Sequence, residues 1–241
     1  MNKIDSPIIV TADVDWASEY CIRQFIDAML GLNIRPLMFI THPSTTIEEY
    51  AMSDLISVGI HPNFRSGSDH GKSVSEVIGF VCDLVDAAWI SRSHGFEDTA
   101  KIQKCLIKKR VSIDSNELRF LEQNLTSRRL DTGMIRYPVF WSDGYEIRRP
   151  EHERWNVKSL KQKFCSNGLK IINIHPFNWA LNLNSVADYE KKKEYTKTID
   201  KCNISAHKNV QCYGVADFVD DLFSQKKFST RVCSPEILKN V

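Results

Sequence analysis

A chain of 241 residues with 42% hydrophobic and 26% charged residues can bury a sizeable core, which excludes a disordered or fibrous protein. A formal net charge of +2 leaves no basic footprint for nucleic acid or an anionic membrane surface. The seven cysteines form no Cys-x-x-Cys pair, no signal-like apolar leader precedes the first strand, and no run approaches transmembrane length, so a reduced, cytoplasmic protein without a membrane segment is expected.

Pro7 to Val14 reads as a buried strand and runs into Thr11-Ala12-Asp13-Val14-Asp15-Trp16. Period two puts Asp13 and Asp15 on one face, where two carboxylates repel unless a cation or a shared proton separates them. An isolated Asp-x-Asp is otherwise commonly a helix cap. A helix over Tyr20 to Leu30 stops at Gly31, a second strand covers Pro36 to Thr41, and a short helix covers Ile47 to Ser57. Val58 to His61 is a third strand, followed by a polar loop, Pro62 to Lys72. Ser73 and Glu76 form a capping box for a helix reaching about Ala88. Trp89 to His94 is the fourth strand, Asp98 to Lys109 a helix, and Arg110 to Asp114 the fifth strand. Met134 to Trp141 is the sixth, with Pro138 marking an edge, a bulge or an end. Val157 to Cys165 is a helix stopped by Asn167-Gly168, and Leu169 to His175 is the seventh strand. Helices over Asp188 to Lys201 and Gly214 to Phe223 complete the chain. This alternation predicts an α/β protein with a parallel sheet, nearly closed into a barrel, in a single domain spanning residues 1–241. No Gly-x-Gly-x-x-Gly turn follows the first strand, which removes the main support for a dinucleotide site.

Polar side chains follow the strands. Asp13 and Asp15 come after the first, His42 after the second, and His61, Asn63, Arg65 and His70 after the third. Arg92 and His94 follow the fourth, Arg136 and Asp143 flank the sixth, and His175 and Asn178 follow the seventh. In a parallel barrel these positions share one rim. A lone histidine there is commonly structural, but a carboxylate and two imidazoles from separate strands make a mononuclear metal site with positions left open. Such a site lowers the pKa of a bound water to roughly 7 and polarises a carbonyl oxygen. A second carboxylate to take the proton, and a histidine opposite to protonate an amine, imply hydrolysis of an amide or ester.

The order of motifs resembles the polysaccharide deacetylase superfamily (NodB-like, carbohydrate esterase family 4), in particular a divergent branch associated with capsule and O-antigen biosynthesis. The resemblance implies an irregular (β/α)7-type barrel and a zinc ion, with iron, manganese, nickel or cobalt as alternatives. "TADVDW" stands for the paired-Asp motif, making Asp13 the catalytic base and Asp15 a metal ligand; "GIHPNF" makes His61 a ligand. "SRSHGF" gives Arg92 the role of orienting the base, "RYPVFWSDG" points to Asp143, and "NIHPFN" makes His175 the general acid. The family's second metal histidine falls at Arg65, so the third ligand is either His70, preferred for its place on the same loop, or His94. The backbone at Gly95 or Phe96 would hold the oxyanion. Trp16, Phe64, Trp141 and Trp179 lie beside these motifs, with sugar stacking or an ordinary core role as the alternatives. Asn63 and Asn178 are further candidates for substrate contact. The implied substrate is an N-acylated sugar, free or linked to a nucleotide, lipid or polymer. A small-molecule amide hydrolase (deformylase or allantoinase-like) and a non-catalytic sugar-binding relic are the rival readings.

Overall fold

The computed structural model describes residues 6–239. Alternation along β1 (Ile8–Asp13) sets the plan of the molecule. Ile8, Val10 and Ala12 face outward into a core shared with Cys21, Ile22, Phe25 and Met29 of α1 (Glu19–Gly31). Ile9 turns the other way, into an inner cluster with Leu37, Phe39, Ile113, Val139 and Ile171. Thr11 and Asp13 continue that inward face, so the inner side is apolar at one end and polar at the other.

The remaining strands are β2 (Leu37–Ile40), β3 (Ser57–Ile60), β4 (Ile90–Ser91), β5 (Ile113–Asp114), β6 (Arg128–Arg129), β7 (Ile135–Arg136), β8 (Val139–Ser142) and β9 (Lys170–Ile174). Their order is β6-β7-β5-β4-β3-β2-β1-β9-β8, parallel throughout except for the β6–β7 pair. The sequence predicts one strand over Met134 to Trp141. Instead it splits at Tyr137-Pro138, with β7 near one edge of the sheet and β8 at the other. A two-residue link spans no more than about 11 Å, so the edges must face each other and the sheet must curl. The seam is closed by the chain before β6: the Arg119 N–H donates to the Val139 carbonyl (2.9 Å) and the Val139 N–H to the Glu117 carbonyl (2.7 Å). The sheet is therefore a curled half-barrel of nine strands among the described residues, where the sequence reading gave seven, and several strands are two residues long.

The helices cover the outer face. Ser18 caps α1, Ser44 caps α2 (Thr45–Met52), and Ser73 with Glu76 forms the expected capping box on α3 (Val74–Asp83). They are followed by α4 (Ala100–Lys108), α5 (Asp143–Glu146), α6 (Val157–Phe164), α7 (Pro176–Ala180), α8 (Val186–Lys192), α9 (Ile204–His207) and α10 (Val215–Phe223). Further expectations are corrected. The helices expected to reach Ser57 and about Ala88 end at Met52 and Asp83, and Ser57 opens β3. The fifth strand begins at Ile113, because Arg110 takes a left-handed conformation (φ 66°) that ends α4. The helix expected over Asp188 to Lys201 stops at Lys192. Beyond it the Asp200 carboxylate accepts from the Cys202 and Asn203 N–H groups, and the Asn203 side chain accepts from Asp200, which competes with a helical ladder. Among the described residues no helix is long and apolar enough to cross a membrane.

Gly59 of β3 sits where a Cβ would lie 2.9 Å from both the Phe39 ring and the Ile90 side chain, and 3.0 Å from the Ile90 carbonyl. Gly59→Ala should therefore destabilise the fold by about 1–3 kcal/mol, read as a lower urea midpoint at unchanged slope. An unchanged midpoint would show that the barrel interior can give way at this point.

Candidate active site

The polar end of the barrel is built around a buried ion pair. Arg92, just past β4, is fully buried, and its Nη1 donates to Asp13 Oδ1 (2.9 Å), Thr11 Oγ1 (2.9 Å) and Asn173 Oδ1 (2.8 Å). Its Nε and Nη2 donate to the backbone oxygen and hydroxyl of Ser115 (3.1 and 2.9 Å), and its guanidinium lies 4.3 Å from the centre of the Phe39 ring. Asn173 also donates to Asp13 Oδ2 (2.6 Å), so both carboxylate oxygens are held. Burial pushes the Asp13 carboxyl up, but the Arg92 guanidinium, with His61 and His175, outweighs it and holds it below its ordinary value. Burial also pulls Arg92 down, yet a guanidinium keeps its proton in proteins, so the pair stays ionic.

Asp15 reaches the same rim by a different route from the one expected. β1 ends at Asp13, and Asp15 and Trp16 occupy a left-handed turn (φ 43° and 57°), so strand periodicity does not place them. Asp15 Oδ1 lies 3.1 Å from His61 Nε2 and 2.8 Å from His94 Nδ1. One ligand atom from each of Asp15, His61 and His94 lies within 4.8 Å of the others. Burial opposes ionisation of Asp15, but hydrogen bonds from His61 and His94 hold its carboxyl well below the ordinary carboxylate range. The buried His61 Nδ1 has no hydrogen-bond partner; Asp13 Oδ1, at 3.9 Å, is too far. An orphan imidazole nitrogen among carboxylates, and one carboxylate with two imidazoles in reach of each other, fit a mononuclear cation site of borderline-soft character.

The third residue of this cluster is His94, and not His70, the residue the sequence favoured. His70 is buried beside it, with Nδ1 accepting from the Asn63 N–H (3.1 Å) and its ring stacked on Phe80 at 4.8 Å. Trp16 packs against both rings, 5.7 Å from His70 and 5.4 Å from His94. His94 can reach Asp15 because β3 and β4 are neighbours, and its N–H donates to the Pro62 carbonyl just past His61 (2.9 Å).

On the opposite side His175, at the end of β9, has Nδ1 2.6 Å from Asp143 Oδ1 and Nε2 3.4 Å from Asp15 Oδ2. Asp143 opens α5 and is fully buried; it also accepts from the His175 and Asn178 N–H groups (2.9 and 3.2 Å). Its carboxylate thus holds both the ring and the backbone of His175. Burial disfavours the imidazolium, but the Asp143 carboxylate outweighs it, with help from Asp15 and Asp13, and pushes His175 up to about 10. Gly144 makes room, since a Cβ there would lie 3.0 Å from His175 Cε1.

A cavity of about 820 Å³ opens over these groups. Trp16 and Asn178 line it, as do Gly95 and Phe96, although the Phe96 N–H already donates to the Ser93 carbonyl (2.9 Å). Other expected contacts lie elsewhere. Trp141 is fully buried in the main core against Phe218 (4.9 Å), with its Nε1 directed to Glu146 (3.4 Å), so it is not exposed to a sugar. Phe64 packs against the cluster of Ile60, Ile78 and Leu106, and Asn63 is buried under the loop, accepting from the Arg65 N–H (3.2 Å). Trp179 packs on Phe25, His42 against Thr41, and Arg136 is bound to Asp114 and Asp98 (2.7 Å each). The sequence reading passed over Asn173, Thr11 and Ser115. The first two carried a signal, as polar residues two positions before His175 and Asp13 on the same inward strand faces; Ser115 carried none.

The WbmS-like polysaccharide deacetylase family matches the chain over residues 10–193, a span that contains every residue of this cluster. No curated protein matches the sequence significantly. A Bordetella bronchiseptica structure assigned as a polysaccharide deacetylase involved in O-antigen biosynthesis is 23% identical, with a TM-score of 0.79 over 90% of this chain and 89% of its own. A Mycobacterium smegmatis structure assigned as a polysaccharide deacetylase is 13% identical, with a TM-score of 0.52 over 89% of this chain and 95% of its own. These likenesses speak for the shared fold, and the family match extends through the first eight helices. The chain belongs to the WbmS-like polysaccharide deacetylase family, within the superfamily that its motifs resemble.

Proposed function

We propose that the chain is a metal-dependent hydrolase that removes an acetyl or other acyl group from the nitrogen of an amino sugar during cell-surface polysaccharide assembly. The observation that carries this reading is the juxtaposition of three groups on one rim: the Asp15–His61–His94 cluster, Asp13 locked by Arg92 and Asn173, and His175 backed by Asp143. The B. bronchiseptica likeness supports the biosynthetic setting. The seven unpaired cysteines support a cytoplasmic location. His94 supplies an imidazole where Arg65 has replaced the family's histidine, which favours catalysis over a non-catalytic relic.

Asp15, His61 and His94 would hold the cation; the donor set suits zinc first, and iron, manganese, nickel or cobalt as well. Such an ion supplies Lewis acidity to the acyl carbonyl and acidifies a water molecule. Asp13, ionised and fixed through both oxygens, accepts the proton of the attacking water as the new C–O bond forms. His175 gives its proton to the nitrogen as the C–N bond breaks, so one water is consumed and a carboxylate and an amine leave. Asp143 holds the imidazole in register and keeps it protonated at neutral pH.

Metal content tests the ligand set. Asp15→Ala, His61→Ala and His94→Ala should each lose stoichiometric metal by elemental analysis, whereas His70→Ala should retain it. Retention in His94→Ala with loss in His70→Ala would reverse the assignment.

The proton carriers are tested separately. Asp13→Asn should keep the metal and slow turnover by roughly 10²–10⁴-fold. His175→Ala should cripple hydrolysis of an N-acetyl sugar but spare much of the cleavage of an activated aryl acetate, whose leaving group needs no proton. Near wild-type amide turnover in either variant would remove that residue from the chemistry.

The pH profile carries a sign. Asp13 must be ionised and His175 protonated, so kcat/KM should rise at low pH and fall on the alkaline side as His175 loses its proton. Asp143→Asn removes the carboxylate that raises His175, so the alkaline limb should move to lower pH. A limb that stays in place would show that another group sets it.

A further inference from the structure

The catalytic floor accounts for the carboxylates and imidazoles of the cavity, but not for the arginines on its walls. Arg65 and Arg148 both line the cavity, on opposite sides of the cluster. Arg65 packs against Gly95, beside His94; a Cβ on Gly95 (φ 67°) would lie 2.5 Å from Arg65 Nη2, so the glycine leaves the space that the guanidinium fills. Arg148 stands on the side of the general acid. Its Nη1 donates to the carbonyl of Gly144, the residue against His175, and its guanidinium lies 5.7 Å from the centre of the Tyr189 ring.

Among the described residues neither arginine pairs with a carboxylate, whereas the comparably exposed Arg119 and Arg128 pair with Glu122 and Glu117. Lys197 stands on the same rim with Lys193, which is paired with Glu190 (2.5 Å), and Glu194 is the lining acid of that stretch. The other lining carboxylates are engaged on the floor, Asp13 by Arg92 and Asp15 through its contacts with His61 and His94. The walls therefore carry guanidiniums that, among the described residues, meet no carboxylate, Arg148 being steadied by the Gly144 carbonyl and the Tyr189 ring and Arg65 by its fit against Gly95. Hydrolysis of a neutral N-acyl sugar has no use for them.

We infer that the acylated sugar taken by this cavity carries an anionic group, engaged by Arg65 and Arg148. The anion is either a carboxylate on the sugar itself, as in a uronic acid, or a phosphate linking the sugar to its carrier. The inference rests on the proposed reading of the cavity as a deacylase site, but it predicts binding as well as turnover.

The test is calorimetric titration of the purified, metal-containing protein with three probes in both gluco and galacto configurations: the neutral N-acetyl methyl glycoside, its uronic acid, and the N-acetyl sugar 1-phosphate. At least one charged probe should bind about tenfold or more tightly than the neutral one, and raising the ionic strength should narrow the gap. The probe that gains identifies the source of the charge. In the Arg65→Gln/Arg148→Gln double variant the charged-to-neutral ratio should fall close to one; both side chains are exposed, so the fold should be kept. A ratio near one in the unaltered protein, a preference that survives the double substitution, or no measurable binding of any charged probe would each overturn the inference. Charge-dependent binding without hydrolysis would instead uphold it and count against the deacylase reading. Hydrolysis indifferent to charge would do the reverse.

Discussion

The site depends on an arginine buried inside a curled sheet. Removing a guanidinium from water costs several kcal/mol, even after relaxation, unless it is paired and its donors are satisfied. Arg92 meets that requirement with one carboxylate, two side chains from neighbouring strands, Ser115 beyond β5, and the face of Phe39. These partners come from β1, β2, β9 and the exit of β5, so the arrangement exists only once the sheet has curled. The same contacts fix both oxygens of Asp13 and keep it ionised, as the proposed role of a base requires. Gly59 belongs to this system as well, since its missing side chain lets Phe39 lie beneath the guanidinium.

Around that fixed pair, each of the other functional groups is placed by a different local device. His61 and Arg92 follow register neighbours on β3 and β4, where Ile60 lies beside Ser91. Asp15 is brought over them by a left-handed turn, and His94 by a short turn through Gly95 and Phe96, both at positive φ. His175 is held from behind by Asp143 at the start of α5, just past the edge strand β8 that pairs with β9. Cation affinity depends on where donor atoms converge in space. Donor atoms on adjacent strand exits, as on His61 and His94, can therefore converge although they lie far apart in the chain.

Electrostatically the cavity has two layers. Its floor holds Asp13, Asp15, His61, His94 and His175, whose polar atoms are tied to one another or to Arg92 and Asp143. Its walls carry Arg65 and Arg148, with Lys193 and Lys197 from the chain after α8. Short-range pairing governs the floor, whereas the exposed wall charges are screened and act mainly on what enters.

Much of this was legible in the sequence, because the relevant information is local. Apolar runs marked β1 and β9 as buried strands, the Ser73–Glu76 capping box marked a helix start, and the order of polar residues after strands matched a known family. These features identified Asp13, His61, Arg92 and His175 as rim residues before any fold was drawn. The choice of His94 over His70 was not local, since the two differ in which neighbour they face: His70 stacks on Phe80 and His94 meets Asp15. Nor was the division of residues 134–141 between opposite sheet edges, the burial of Trp141 in the core, or the convergence of Asn173 and Ser115 on Arg92. Periodicity reports which face of an element is buried, but not which partner lies across from it. That was decided by the curl of the sheet, which brings residues far apart in the chain within hydrogen-bonding distance.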